Sequence, residues 1–174
     1  LSYQWAAPDI DEARRADENA VTLAHRLALS KAQAIAADYP DHLIIGSDQL
    51  ALFEGDMLGK PGDFDTACAN LRRFSGHQVS FMTGLALIDT GAGRHRVVHD
   101  TYHVWFRDLS DEEIESYVSR DQPYDSSGSF RMEGLGIALF ERFEGNDPNT
   151  LIGLPLIKLC ELLREAGLNP LAGQ

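Results

Sequence analysis

Apolar residues recur with a helical period over residues 17–38, where Val21, Ala24, Leu27, Ala28, Ala34 and Ile35 fall on one arc and His25, Arg26 and Gln33 lie outside it. The spacing predicts a helix there, stopped by Pro40. The period then changes. In His42-Leu43-Ile44-Ile45-Gly46-Ser47-Asp48-Gln49, four apolar or small residues stand between polar ones, the pattern of a short strand buried on both faces with Asp48 at its mouth. Glu54-Gly55-Asp56 reads as a turn, pairing residues 49–53 with Met57-Leu58 in a small hairpin that returns Lys60, of Gly59-Lys60-Pro61, toward Asp48.

Further along, residues 63–74 form a second helix, opened by an acidic residue and closed by Ser75-Gly76. Residues 79–89 are a long strand, Thr90-Gly91-Ala92-Gly93 a turn, and residues 95–108 its antiparallel partner, with Val98, Tyr102, Val104 and Phe106 alternating onto one face. Ser110-Asp111-Glu112-Glu113 is a capping box ahead of a helix that turns Ile114, Tyr117 and Val118 inward and ends before Pro123. Residues 135–143 suggest another strand. The last helix has Pro155 in its first turn, Leu156, Leu159, Cys160 and Leu163 on one stripe, and Gly167 past its end. Helices and strands alternate with hairpins inserted, which predicts an α/β fold with a mixed, partly antiparallel sheet flanked by helices.

Composition narrows the function. A chain of 174 residues forms one domain most simply and buries about 70% of its unfolded surface without staples. Its 15 basic against 27 acidic residues give a net charge of −12, which repels a polyanion and removes the counterion-release drive for polymeric nucleic acid. A single nucleotide chelated to a divalent metal remains compatible with local lysines. Cys68 and Cys160 lack metal-ligand spacing and sit in apolar helical contexts, so two reduced thiols in a reducing, cytoplasmic compartment are expected. No stretch reaches the length of a membrane-spanning helix.

The candidate chemistry is carried by a few charged residues, each with an ordinary alternative. Asp48 is either a functional carboxylate or a turn former, and Lys60 either a ligand for anions or a solvated side chain. Lys31 lies at the centre of the first helix's apolar arc, four residues from Leu27 and from Ile35; its stem either snorkels to water or carries the ammonium into a cleft to meet phosphate. Glu12, in Asp9-Ile10-Asp11-Glu12, and Glu133, in Glu133-Gly134-Leu135-Gly136, are each a hard oxygen ligand, a base-reading acceptor or surface charge. Gly134 and Gly136 fit a tight turn or close approach to a ligand. His42, His77, His95, His99 and His103 make no metal triad; His95, His99 and His103 read as an exposed sheet face.

Together these segments resemble one family, the Maf-like nucleotide pyrophosphatases. The resemblance runs from Pro8-Asp9-Ile10-Asp11-Glu12 through Leu29-Ser30-Lys31-Ala32, Gly46-Ser47-Asp48-Gln49, Gly59-Lys60-Pro61, Ser75-Gly76-His77, Gly128-Ser129-Phe130 and Glu133-Gly134-Leu135-Gly136 to Gly153-Leu154-Pro155-Leu156. The family's opening strand and Ser-x-Ser-x-Arg-Arg loop have no counterpart here. The expectation is a single Maf-like domain, residues 1–174, of the Maf/inosine-triphosphatase-like fold, lacking its N-terminal strand, loop and helix and with them the phosphate-binding arginines.

What the resemblance implies is hydrolysis of a nucleoside triphosphate between the α and β phosphates with a divalent cation, Mg2+ or Mn2+. It makes Asp48 the catalytic carboxylate, which orients or deprotonates the attacking water; at an ordinary carboxylate pKa of ~3.9 this needs a metal-activated water or a raised pKa. Lys31 and Lys60 match phosphate-facing lysines, and Glu12 with Asp48 would place the metal. Gln49 and Glu133 resemble the 7-methyl-GTP branch, whereas the dTTP and UTP branch has Thr and Gln at these positions. The alternatives are that dTTP/UTP pyrophosphatase and a nucleotide-binding regulator of cell division without essential turnover. The expected partner is the small-molecule nucleotide, with neither polymeric nucleic acid nor a membrane involved, and a homodimer is an allowed assembly.

Overall fold

The computed structural model describes residues 2–172. Its strands β1 (Leu43–Phe53), β2 (Asp56–Leu58), β3 (Gln78–Asp89), β4 (Arg94–Phe106) and β5 (Phe140–Gly145) form one sheet in the order β2-β1-β3-β4-β5. The helices are α1 (Ala20–Ala36), α2 (Phe64–Phe74), α3 (Asp111–Asp121), α4 (Asn149–Ile152) and α5 (Leu156–Glu165). The predicted α/β class and helix-flanked sheet are observed. By its contacts the chain divides into two compact units, the first taking residues up to Gln49, Met82–Asp100 and those from Asp147 onward, the second Leu50–Phe81 and Thr101–Asn146.

In the first unit, α1 begins later than periodicity predicts because Asn19 caps it, accepting from the Thr22 amide at 2.9 Å, while Glu18 is held by side-chain bonds outside the helix. Ala24, Ala28 and Ala32 have no exposed surface and form an i, i+4 stripe. That stripe lies directly on β1 and β3. A Cβ on Gly46 would stand 2.2 Å from the Ala28 carbonyl oxygen, and one on Gly84 2.3 Å from that of Ala24, so helix and strands touch backbone to backbone. On the other face of β3, Leu85 and Leu87 pack with Leu159, Leu162 and Leu163 of α5. The stripe expected for α5 is thus rotated: Leu156 is 41% exposed and Leu162 is buried in its place.

β1 corrects two expectations. It is an eleven-residue strand in which Asp48 is the sixth, so Asp48 sits mid-strand and not at a mouth. It is also not buried on both faces, since Ile45 is 41% exposed.

The second unit opens with the predicted hairpin, pairing Ala51 with Leu58 and Phe53 with Asp56 across Glu54-Gly55 at φ 51° and 90°, both left-handed as a tight two-residue turn requires. Asp63 caps α2 through the Thr66 amide at 2.8 Å, and the Ser110–Glu113 capping box opens α3. α2 packs on α3, with Arg72 bridging Asp111 and Glu115. Phe53, Phe74, Phe81, Phe106, Phe130, Phe140 and Phe143 interlock with ring centroids 4.7–5.9 Å apart, mostly edge to face, an arrangement that adds to simple burial.

Residues 135–143 are not one strand. Leu135–Leu139 form a 3-10 turn before β5, because the Leu135 amide donates to Asp121 Oδ2 at 2.7 Å and a Cβ on Gly136 would meet the Arg131 carbonyl oxygen at 2.3 Å. These glycines therefore serve a tight turn. The histidines also differ from expectation: His95 is exposed, but His99 Nδ1 lies 2.9 Å from His25 Nε2, and His103 Nδ1 lies 2.8 Å from Ser80 Oγ. Burial, then His99, holds the His25 pKa below the usual imidazole value. Cys68 and Cys160 are free thiols.

Candidate active site

Alternation along β1 turns Ile44, Gly46 and Asp48 toward α1 and Ser47 and Gln49 toward the opposite face. Because Gly46 admits α1 to contact distance, Lys31 reaches Asp48 directly: its Nζ donates to Asp48 Oδ1 at 2.5 Å and lies 2.9 Å from Glu12 Oε1. Asp48 is 11% exposed, Lys31 23% and Glu12 53%. Lys31 does not snorkel to open water. Burial pulls its pKa down, but the bonds to Asp48 and Glu12 outweigh that and hold it above the usual lysine value.

Glu12 comes from a segment without regular secondary structure, and a dense set of bonds fixes that segment on α1. Glu18, only 6% exposed, accepts from the Arg15 amide at 2.9 Å and from the Arg26 guanidinium, which brings its pKa to about 2. Arg26 also donates to the Ala13 carbonyl at 2.9 Å, and Arg14 to the Glu18 carbonyl at 2.9 and 3.0 Å. Neither Glu18 nor Arg26 stands out in the sequence.

The other face of β1 is an anchor. Gln49 Nε2 donates to the Thr150 carbonyl at 2.6 Å, with the Leu151 carbonyl at 3.1 Å and Thr83 Oγ1 at 3.2 Å. The Ser47 hydroxyl lies 2.7 Å from the Gly153 carbonyl and 2.9 Å from that of Gly84, either of which takes its single proton. Thr150, fully buried, donates through its own hydroxyl to Asp100 Oδ2 at 2.7 Å. Asp100 and Thr150 escaped sequence reading because Asp100 occupies the same alternating face as Val98 and Tyr102. Thr150→Val is expected to destabilise the fold by about 2–3 kcal/mol, since a buried carboxylate loses its donor. A change in unfolding free energy of less than about 0.5 kcal/mol, from urea denaturation at unchanged m-value, would refute that assignment.

Lys60 and Glu133 belong to the second unit. Lys60 is exposed just after β2, beside buried Pro61, and the Gly62 amide donates to the Tyr124 carbonyl at 3.0 Å. Glu133 is exposed before the 3-10 turn. The segment carrying it is pinned by the Arg131 amide on Tyr117 Oη at 3.0 Å, and by the Arg131 guanidinium on Asp125 at 2.6 Å. That guanidinium, with a smaller contribution from Lys60, holds the Asp125 carboxyl below the usual carboxylate range. Arg131 in turn feels the charge of Glu133. Burial raises the Tyr117 phenol well above its ordinary value.

For a divalent cation the donor set is small. Glu12 and Asp48 converge on one cationic point, the Lys31 ammonium, which shows that two hard carboxylates can address a single positive charge there. Among the described residues no group of three or more His, Cys, Asp or Glu side chains assembles. Mg2+ sites in phosphate chemistry commonly use one or two carboxylates with phosphate oxygens and water, so these residues fit such an ion. No helix of the described residues is long and apolar enough to cross a membrane.

Residues 1–166 match the family model described as Maf-like protein. A curated relative from Chromohalobacter salexigens, named 7-methyl-GTP pyrophosphatase, is 67% identical over 171 residues, covering 98% of this chain and 89% of the relative. Another of the same name, from Alcanivorax borkumensis, is 53% identical over 167 residues, covering 96% and 85%.

Proposed function

The chain belongs to the Maf-like protein family, and from that premise we propose that it hydrolyses 7-methyl-GTP to 7-methyl-GMP and pyrophosphate, clearing a modified nucleotide. The names of the two relatives support the substrate. The observation that carries the reaction is the Lys31 ammonium set between Asp48 and Glu12.

Water attacks the α-phosphorus, the bond from that phosphorus to the α,β-bridging oxygen breaks, and pyrophosphate leaves. Asp48 orients the water and accepts its proton. Lys31, fully protonated at neutral pH, neutralises charge that builds on the departing phosphates, and Lys60 of the second unit takes the second phosphate-facing role. Glu12 and Asp48 would hold Mg2+ or Mn2+, which when bound supplies Lewis-acid activation and charge neutralisation.

Glu133 is the base-reading carboxylate. Methylation at N7 makes guanine cationic, and a carboxylate accepts from its N1–H and exocyclic amine in charge-assisted bonds that a neutral amide matches poorly. The amide nitrogen of Gln49 is committed to the Thr150 and Leu151 carbonyls, so any contact it makes with a base falls to its amide oxygen. In a panel of 7-methyl-GTP, GTP, dTTP and UTP, 7-methyl-GTP gives the highest kcat/KM. Glu133→Gln lowers the ratio for 7-methyl-GTP over GTP by about tenfold, the value of one good charge-assisted bond. An unchanged ratio would remove Glu133 from specificity, and a preference for dTTP or UTP would overturn the substrate.

A further inference from the structure

Glu12 has no helix or strand to hold it, yet it stands 2.9 Å from the Lys31 ammonium. Several of the contacts that fix its segment lead to one guanidinium. Arg26 places Nε and Nη2 on the two oxygens of the Glu18 carboxylate, Nη2 on the Ala13 carbonyl at 2.9 Å, and Nη1 3.5 Å from the Asp11 carbonyl. The residues immediately before and after Glu12 are thus bonded to Arg26 by their main chain. Glu18 closes the loop by accepting from the Arg15 amide, and Arg14 folds back onto the Glu18 carbonyl. Arg26 is also five residues from Lys31 on α1, so the segment and the ammonium are referenced to the same rigid helix.

We propose that Arg26, acting with Glu18, is a positioning residue that sets the place of Glu12 at the Lys31–Asp48 pair, and hence the affinity of the site for its divalent cation. The inference rests on Glu12 as a ligand of that cation. A planar fork is needed here, because donors must point at once to a carboxylate and to two carbonyls on different sides. A lysine has one nitrogen and cannot span them. The ion pair is 15% exposed at Arg26 and 7% at Glu18, so solvent does not replace it freely.

The test is a double-mutant cycle on the full chain, reading Mn2+ affinity from the electron paramagnetic resonance signal of the free aquo ion, with Mn2+ alone as the probe. Glu12→Gln is expected to weaken Mn2+ binding about tenfold, as expected when a supporting or direct ligand is lost. Arg26→Lys and Glu18→Gln each weaken it several-fold, and Arg26→Lys added to Glu12→Gln weakens it no further. Turnover of Arg26→Lys returns to near the parent value at saturating Mn2+. A merely structural role predicts independent, multiplying losses that excess metal does not rescue.

Unaltered Mn2+ affinity in Arg26→Lys while Glu12→Gln loses it, or multiplying losses in the double variant, overturns the positioning role and leaves Glu12 in place as a ligand. No loss in Glu12→Gln itself removes the ligand assignment, and the positioning role with it. Glu18→Gln decides the matter on its own if Arg26→Lys fails to fold.

Discussion

Asp48→Asn lowers kcat by about a thousandfold or more while the protein stays folded, in line with the loss of a positioned general base that also serves a metal. Asparagine keeps the shape and removes the charge. Under the roles proposed for Asp48 three effects then coincide: the attacking water loses its proton acceptor, the cation loses one of two carboxylates, and the Lys31 ammonium loses the partner 2.5 Å away. The last acts on Lys31 itself, because burial already opposes its charge and only Asp48 and Glu12 outweigh it. Glu12→Gln is milder, since Glu12 is 53% exposed and Asp48 remains. The check is kcat at saturating nucleotide beside a circular-dichroism melt. A loss below tenfold with an unchanged melt would remove Asp48 from the chemistry. The same variant separates turnover from any nucleotide-sensing role, which would survive it.

Gly46→Ala gives the largest structural effect. The new methyl would sit 2.2 Å from the Ala28 carbonyl oxygen and 2.9 Å from the Ala32 Cβ, and neither atom is the end of a flexible side chain. Helix α1 must lift from β1. Overpacking of this kind costs about 3 kcal/mol, which for a domain of this size lowers Tm by roughly 6–12 °C. The displacement also reaches the site, because Lys31 lies three residues beyond Ala28 and Asp48 two residues beyond Gly46 on the same face. A shift near 1 Å between reacting groups lowers rates by about a hundredfold, so kcat is expected to fall even where the protein remains folded. A melt within 2 °C of the parent would refute the close packing.

Local chemistry was readable where the partner lies within a few residues. The Asp63 cap, the Ser110–Glu113 box and the Glu54-Gly55 hairpin are each closed by neighbours, and the sequence carries both members of every pair. Lys31 was readable as a polar residue out of place on an apolar arc. The resemblance to a family then gave Asp48, Glu12, Lys60, Gln49 and Glu133 their expected roles, which composition and spacing alone left open. Glu18 and Arg26 were invisible because each, taken singly, is an ordinary charged surface residue, and only the fold brings them together. Asp100 was hidden for the opposite reason, since a carboxylate in an alternating apolar run gives no hint that Thr150 meets it 50 residues later. Residues 135–139 failed as a strand because a tertiary bond from the Leu135 amide to Asp121 overrides their local preference.

The two-sided use of β1 limits how this protein can change over evolutionary time. Ser47 and Gln49 tether the strand on one face while Asp48 meets Lys31 on the other, so inserting or deleting one residue inside it would point the carboxylate at the tether and the amide at Lys31. Length variation among descendants of this chain is therefore confined to places such as the exposed tip at Glu54-Gly55, and the strand itself can diverge only by replacement.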